Sequence, residues 1–125
     1  MYLSYDKYKE FGGSVIEKDY AFFELQARKK LDYWTLNRIP KFLDDNKENI
    51  HYFKIIEDIE LCMFLIIKEL YQIETGEADV SSVSNDGISM SFVEANTREQ
   101  KLQDLYQKIV EILPLELVNV VVGNG

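Results

Sequence analysis

An apolar periodicity of three and four residues runs without a break from Tyr52 to Leu70. Because an α-helix has about 3.6 residues per turn, this spacing places the apolar side chains on one stripe and predicts a helix over about 48–74. In its second half, apolar residues also fill the positions beside the stripe. We therefore expect this helix to be the most buried element and the centre of the fold.

Two helices are predicted before the central one. Ser4 can cap a short first helix ending near Phe11, because the glycine pair at 12–13 supplies the left-handed conformation found after helix ends. Ser14 and Glu17 have the spacing of a capping box, which predicts the start of the second helix. The apolar stripe of this helix is formed by Tyr20, Phe23, Ala27, Leu31 and Trp34.

Pro40 limits the second helix, because a proline disfavours helical geometry at the residue before it. The helix is therefore predicted to end near 36–38, and residues 39–48 are predicted to form a connecting loop. A last helix is predicted to begin at a second capping box, Thr97 to Gln100, and to end at Pro114.

The pattern between the central and last helices is different. Residues 80–84 and 88–92 are two short runs around an Asn-Asp-Gly turn, and the second run alternates apolar residues with serine. This alternation predicts a β-hairpin over 80–92. The prediction is thus a mainly α fold of one domain over 1–125: a small helical bundle around a long central helix, with a β-hairpin insertion and a short C-terminal strand.

The predicted C-terminal strand follows Pro114 and is rich in β-branched residues. A lone strand leaves backbone groups unpaired, so it must pair with the hairpin of its own chain or with a neighbouring subunit. In the second case the subunit interface consists of Leu117, Val118, Val120, Val121 and Val122.

The charge distribution bears on possible partners. The net charge is -8, with nine basic and nine acidic residues in 1–50 but five basic and thirteen acidic residues in 51–125. This field repels phosphate backbones and anionic lipids, which argues against adhesive nucleic-acid binding. Glu69 to Glu94 contains six acids and no base, which is typical of a solvated face. No run is long and apolar enough to span a bilayer, so we expect no membrane partner.

Residues that carry enzyme chemistry are few. His51 has no Cys or Ser at a motif spacing, and Cys62 lies on a crowded apolar helix where it packs as a small hydrophobe. The acidic run at 44–48 lacks the ligand spacing of a calcium loop, and the basic run at 28–30 alternates with acids at four-residue steps. We expect no enzyme activity, no cofactor and no metal.

Four stretches carry a resemblance to a known family: YDKYKEFGG at 5–13, FELQARKKLDYWT at 23–35, CMF at 62–64 and SVSNDGISMSF at 82–92. In this order they resemble the head-tail connector proteins (head-completion or adaptor proteins) of tailed bacteriophages. The tyrosine- and glycine-containing opening and the SNDG stretch are the more specific parts.

The resemblance implies a homo-oligomeric ring, a dodecamer when assembled, between the phage portal protein and the tail or next neck protein. Such a ring completes the head and extends the channel through which DNA passes without specific binding. It implies a place at the head-tail interface of the virion, and in the host cytoplasm during assembly. The predicted hairpin then faces either the channel or the portal with Ser84, Asn85, Asp86, Gly87, Ile88, Met90 and Phe92.

Two other classes of function stay open. Another neck or tail component of a phage would share the helices without the ring position. A helical protein-binding module unrelated to phages would use the acidic segment to engage a basic partner. Genes for a portal and a major capsid protein upstream of this one would favour the connector.

Overall fold

The computed structural model describes residues 1–75 and 87–118, and for 87–97 it describes the backbone alone. These residues form a mainly helical fold, as predicted. The helices are α1 (Tyr5–Glu10), α2 (Glu17–Trp34), α3 (Ile39–Asp45), α4 (Tyr52–Thr75), α5 (Gly87–Ile112) and α6 (Leu115–Val118). Helix α4 packs against both α2 and α5, which confirms that the long helix is central.

Helix α1 begins and ends as the sequence predicts. The Ser4 hydroxyl accepts a hydrogen bond from the Lys7 backbone N–H at 3.2 Å, so it caps the first turn. The chain leaves the helix through Phe11 and Gly12, and Gly12 has a φ of 94°, in the left-handed region. This conformation explains the first glycine of the pair.

The second glycine is required by Tyr8 rather than by its own backbone angle. The Gly13 N–H donates to the Tyr8 carbonyl at 3.1 Å, and a Cβ at Gly13 would overlap the Tyr8 ring. That ring is buried, and its hydroxyl accepts a hydrogen bond from the Val15 N–H at 2.8 Å. Tyr8 and Gly13 therefore form one packed unit that joins α1 to the start of α2.

We expect Gly13→Ala to lower the free energy of unfolding by about 1–3 kcal/mol, the usual cost of overpacking a buried site. Gly12→Ala is the matched control, because a Cβ there meets no atom within 4 Å and meets only the strain of a positive φ, about 1–2 kcal/mol. Urea unfolding of both variants measures the difference. A loss below about 1 kcal/mol for Gly13→Ala would contradict the packing role of Gly13.

Helix α2 begins differently from the prediction. Its N-cap is Ile16, which makes no side-chain capping bond, so the predicted capping box of Ser14 and Glu17 is wrong. Val15 is fully buried and Ile16 is still extended, so the helix begins two residues later than the capping box requires. The helix ends at Trp34, slightly before the predicted 36–38.

Helix α3 replaces most of the predicted loop at 39–48. Pro40 lies in the first turn of this helix, where a proline loses no hydrogen bond and its fixed φ favours the helix. The same residue therefore begins α3 as well as separating it from α2. Ile39 is fully buried and anchors the start of α3 in the core.

The core is formed mainly by the facing stripes of α2, α4 and α5. Some of the apolar residues predicted for these stripes are only partly buried, namely Trp34, Tyr52, Ile56, Leu70, Leu102, Tyr106 and Val110. The others are buried, namely Tyr20, Phe23, Ala27, Leu31, Ile55, Ile59, Met63, Ile66, Ile67, Leu105, Ile109 and Leu113. Helix α4 begins at Tyr52, four residues after the predicted start, and ends at Thr75.

The second run of the predicted hairpin is helical. Residues 88–92 form the first turns of α5, and the predicted capping box at Thr97 lies inside that helix. The same five residues also place Ile88 and Phe92 four apart, which is the spacing of a helix face. A run this short therefore does not distinguish a strand from a helix. The first run, 80–84, and the turn residues Asn85 and Asp86 lie outside the described residues.

The C-terminal strand prediction is wrong over 115–118, which form α6. Pro114 ends α5 and its carbonyl accepts a hydrogen bond from the Leu117 N–H at 2.9 Å, so the local turn overrides β-propensity. Leu117 and Val118 are buried in the core of their own chain. The Arg38 Nη1 donates to the Glu116 carbonyl at 3.1 Å, which fastens α6 to the segment after α2.

Candidate functional site

The residues considered for enzyme chemistry are dispersed. His51 is exposed, and its backbone N–H donates to the Asn49 Oδ1 at 2.8 Å. Cys62 is fully buried, and desolvation raises the pKa of its thiol to about 12, so the thiol is unreactive at neutral pH. Within 1–75 and 87–118, no group of three or more His, Cys, Asp or Glu side chains is placed to hold a metal ion. No helix in the same residues is long and apolar enough to cross a membrane.

The acidic run at 44–48 is held by local ion pairs. Lys47 pairs with Asp44 at 3.0 Å, and Lys41 pairs with Asp45 at 3.1 Å, with all four side chains exposed. The hydrogen bond from Lys47 lowers the pKa of the Asp44 carboxyl. These contacts are the exposed pairs of an ordinary helix end, and each contributes little to stability.

A buried carboxylate is the largest departure from the predicted surface. Glu24 is fully buried, although as a charged residue off the apolar stripe of α2 it is expected to face away from the core. Arg28 donates to its carboxylate through Nε and Nη2, at 2.9–3.2 Å, and the Tyr2 N–H donates to it at 2.9 Å. The arginine four residues after Glu24 was the only sequence signal, because residues 1–3, which cover the carboxylate, carry no periodicity.

Tyrosine hydroxyls fasten the same N-terminal residues to α2. The Tyr2 hydroxyl donates to Asp32 Oδ1 at 2.7 Å, and the Tyr20 hydroxyl donates to the Leu3 carbonyl at 2.6 Å. Leu3 is fully buried as a result. Desolvation by burial is the main cause that raises the pKa of both tyrosines, and the bond to Asp32 raises that of Tyr2 further.

These tyrosines predict a stability that depends on alkaline pH. A tyrosine whose folded pKa is raised above the unfolded value of 10.0 favours folding below pH 10 and loses that contribution as the pH rises from there toward the folded pKa. We expect stability to fall above about pH 10, and Tyr20→Phe to reduce the fall. Urea unfolding between pH 8 and 11 measures it, with the exposed Tyr33→Phe as control. Parallel pH profiles for wild type and Tyr20→Phe would contradict this.

A cleft of about 290 Å³ lies between the glycine pair and α4. Its walls include Tyr8, Phe11 and Phe64, and Lys68 and Gln72 add polar groups. The lining therefore combines aromatic surface with one ammonium group. It suits a side chain of a partner protein as well as it suits a small molecule.

The first of two exposed apolar surfaces lies on α2, and we call it the α2 outer face: Lys18, Phe22, Leu25, Lys29 and Tyr33. These residues share one side of the helix, opposite the buried stripe that meets α4. Phe22 is 56% exposed and Tyr33 is 74% exposed. The face thus combines three large apolar side chains with two exposed lysines.

The second surface lies at the start of α4, and we call it the α4 outer face: Ile50, Phe53, Glu57, Glu60 and Leu61. Ile50 is 89% exposed and Phe53 is 79% exposed. Glu57 is exposed and Glu60 partly exposed on the same side of the helix. Large apolar side chains grouped in this way, rather than scattered singly, mark interaction surfaces.

The residues predicted for the connector site are only partly placed. Gly87, Ile88, Met90 and Phe92 lie in α5, whereas Ser84 to Asp86 and Val120 to Val122 lie outside the described residues. The two outer faces were not predicted as sites, although a sequence signal exists. Phe22, Leu25 and Phe53 lie off the apolar stripes of their helices, and Ile50 precedes α4.

Comparison with protein-family models, with curated proteins and with solved structures finds no match to this chain.

Proposed function

We propose that this chain is a structural protein of a tailed phage that assembles as a ring between the portal and the tail, and that it has no enzymatic role. The observation that carries the proposal is the grouping of exposed apolar side chains on two helix faces of a small helical protein. A chain that is complete as a monomer has no need of such faces, whereas a ring subunit covers one on each side.

The family resemblance gives the proposal its specific form. The motif at 5–13 contains Tyr8, Gly12 and Gly13, and each has a physical role in joining α1 to α2. A motif with such a role is a better guide to a shared fold than residues on a helix surface. In the ring, the acidic surplus of 51–125 repels the DNA that passes through, so that the duplex slides without binding.

The partners in this proposal are the portal protein, the tail or next neck protein, and other copies of this chain. The corresponding place is the head-tail interface of the virion, reached from the host cytoplasm during assembly. Because Leu117 and Val118 are buried in their own chain, the proposed contribution of the C-terminus to a subunit contact is confined to Val120, Val121 and Val122.

The test is to mix the purified protein with the portal protein encoded in the same genome and to image the mixture by negative-stain electron microscopy. We expect a ring of added density on one end of the portal. A portal without added density at saturating protein would contradict the connector proposal and favour a binding module unrelated to phages. Density at another position would favour a different neck component.

A truncation after Val118 tests the role of the C-terminus in assembly without removing residues of the folded core. It removes Val120 to Val122 but keeps the buried residues of α6, so we expect a folded protein by circular dichroism. If the C-terminus contributes to the subunit contact, the truncated protein forms fewer rings on the portal. If the truncated protein forms normal rings, these valines are not part of the subunit contact. Truncation after Pro114 is the contrast, because it also removes the buried Leu117 and is expected to destabilise the fold.

A further inference from the structure

We infer that the α2 outer face of one copy binds the α4 outer face of the next copy. This inference rests on the proposed ring assembly and names the surfaces that build it. Each face exposes large apolar side chains along a regular helix that can pack along another, with Ile50 just before the start of α4. The occupant of each face is therefore a second copy of this chain.

Charge complementarity identifies the two faces as partners. Lys18 and Lys29 lie on the α2 outer face, and Glu57 and Glu60 lie on the α4 outer face. Among the described residues, none of these four side chains forms an ion pair within the chain. Each face thus presents unpaired charge of one sign beside apolar surface, and the opposite signs favour contact between unlike faces over contact between like faces.

Neighbouring charges do not reverse this complementarity. Lys54, at the edge of the α4 outer face, pairs with Asp58 at 3.9 Å. At the edge of the α2 outer face, Asp32 keeps its negative charge although it accepts the hydrogen bond from the Tyr2 hydroxyl, and Asp19 is an exposed acid. Lys30, which is partly exposed over the Trp34 ring, adds a third positive charge to those of Lys18 and Lys29. The α2 outer face therefore keeps a positive balance and the α4 outer face a negative one.

The direction of the two faces determines the kind of assembly. Helices α2 and α4 pack against each other through their buried stripes, and each outer face lies on the opposite side of its helix. The faces therefore point away from the contact between α2 and α4, and both stay available when the chain is folded. A contact between two unlike patches is heterologous, so it repeats from copy to copy and closes into a ring where the rotation allows.

Disulfide trapping tests which faces meet. Leu25→Cys places a thiol on the α2 outer face, and Phe53→Cys places one on the α4 outer face; both parent side chains are exposed. Wild type serves as the background, because Cys62 is buried and unreactive. The variants are oxidised at high protein concentration, in solution and on the portal, and the products are separated on a non-reducing gel.

We expect little dimer from either single variant alone, disulfide-linked dimer from the equimolar mixture, and a ladder of higher oligomers from the double variant. A mixture of Leu25→Cys with Gln107→Cys, an exposed position on α5, is the matched control and is expected to give no product. No dimer in the mixture of the two face variants, or as much dimer from one variant alone, would overturn the inference.

A charge exchange provides a second measurement that does not depend on cysteine reactivity. We expect Lys29→Glu and Glu57→Lys each to weaken self-association by about tenfold in sedimentation equilibrium, and the double variant to recover part of the loss. Lys108→Glu and Glu111→Lys on α5 are matched controls with exposed parents and are expected to change little. Losses that simply add in the double variant would contradict a direct contact between the faces.

The two proposals fail in different ways. If the mixture of face variants forms dimers in solution but the protein does not bind the portal, the contact between faces stands and the connector function fails. If the protein forms rings on the portal but the face variants give no dimer in either setting, the function stands and this pair of faces is wrong.

Discussion

Met63→Ala is expected to lower the free energy of unfolding by about 2–5 kcal/mol, which is a large part of the 5–15 kcal/mol typical of a small domain. Met63 is fully buried on α4, the helix that packs against both α2 and α5. The substitution removes apolar contacts and leaves a cavity that the surrounding helices close only in part. Ile66→Ala, at another fully buried position one turn further, is expected to have a loss in the same range.

Urea unfolding followed by circular dichroism measures these losses. Phe53→Ala is the control on the same helix, because its side chain is 79% exposed and its removal leaves no cavity. We expect its effect on the monomer to be within about 0.5 kcal/mol. If Met63→Ala and Ile66→Ala leave the unfolding midpoint unchanged, the central position of α4 is wrong.

Arg28→Met is expected to cost about 2–4 kcal/mol, somewhat less than removing one partner of a fully buried pair, because Arg28 is one-third exposed and partly solvated. Among the residues that the structure describes, the Tyr2 N–H is then the one donor left to the fully buried Glu24 carboxylate. An uncompensated buried charge is more destabilising than the loss of the pair itself. The apolar stem of methionine keeps most of the packing that the arginine supplies.

A second substitution, Glu24→Gln, distinguishes the effect of the uncompensated buried charge from the effect of lost packing. We expect the double variant Glu24→Gln, Arg28→Met to be more stable than Arg28→Met alone, because it removes the buried charge and keeps an acceptor for Tyr2. Lys29→Met is the control for loss of a positive charge at the next, exposed position. Equal stability of Arg28→Met and Lys29→Met would show that the buried pair contributes nothing.

The helices with a long apolar stripe were predictable from sequence because their burial repeats every turn. The stripe residues of α2 and α4 lie inside as the spacing requires, among them Tyr20, Phe23, Ala27, Leu31, Ile59, Met63 and Ile66. Their boundaries were less predictable. Pro40 is compatible with the end of one helix and with the first turn of the next, and the neighbouring sequence does not distinguish these cases.

Features that depend on a distant segment were not predictable. Glu24 is buried because the N-terminal residues cross α2 and donate to it, and nothing near Glu24 in the sequence indicates that crossing. The run at 88–92 is too short for its alternation to decide between a strand and a helix, and it continues into α5. The outer faces are a different case, because their apolar residues off the stripes can be seen in the sequence, but the spacing does not say what such residues contact.

The hydrogen bond between Arg38 and the Glu116 carbonyl joins residues 78 apart in sequence. Closing a chain segment of that length costs more conformational entropy than forming the hydrogen bonds within α2 or α4, which join residues close in sequence. The α6 helix is only four residues long and cannot persist in water without its docking site. It therefore forms after the site on the bundle exists, and it is the element expected to detach first when the native state opens locally. Opening of this kind would expose Leu117 and Val118 while the bundle stays folded, so that α6 can detach without global unfolding.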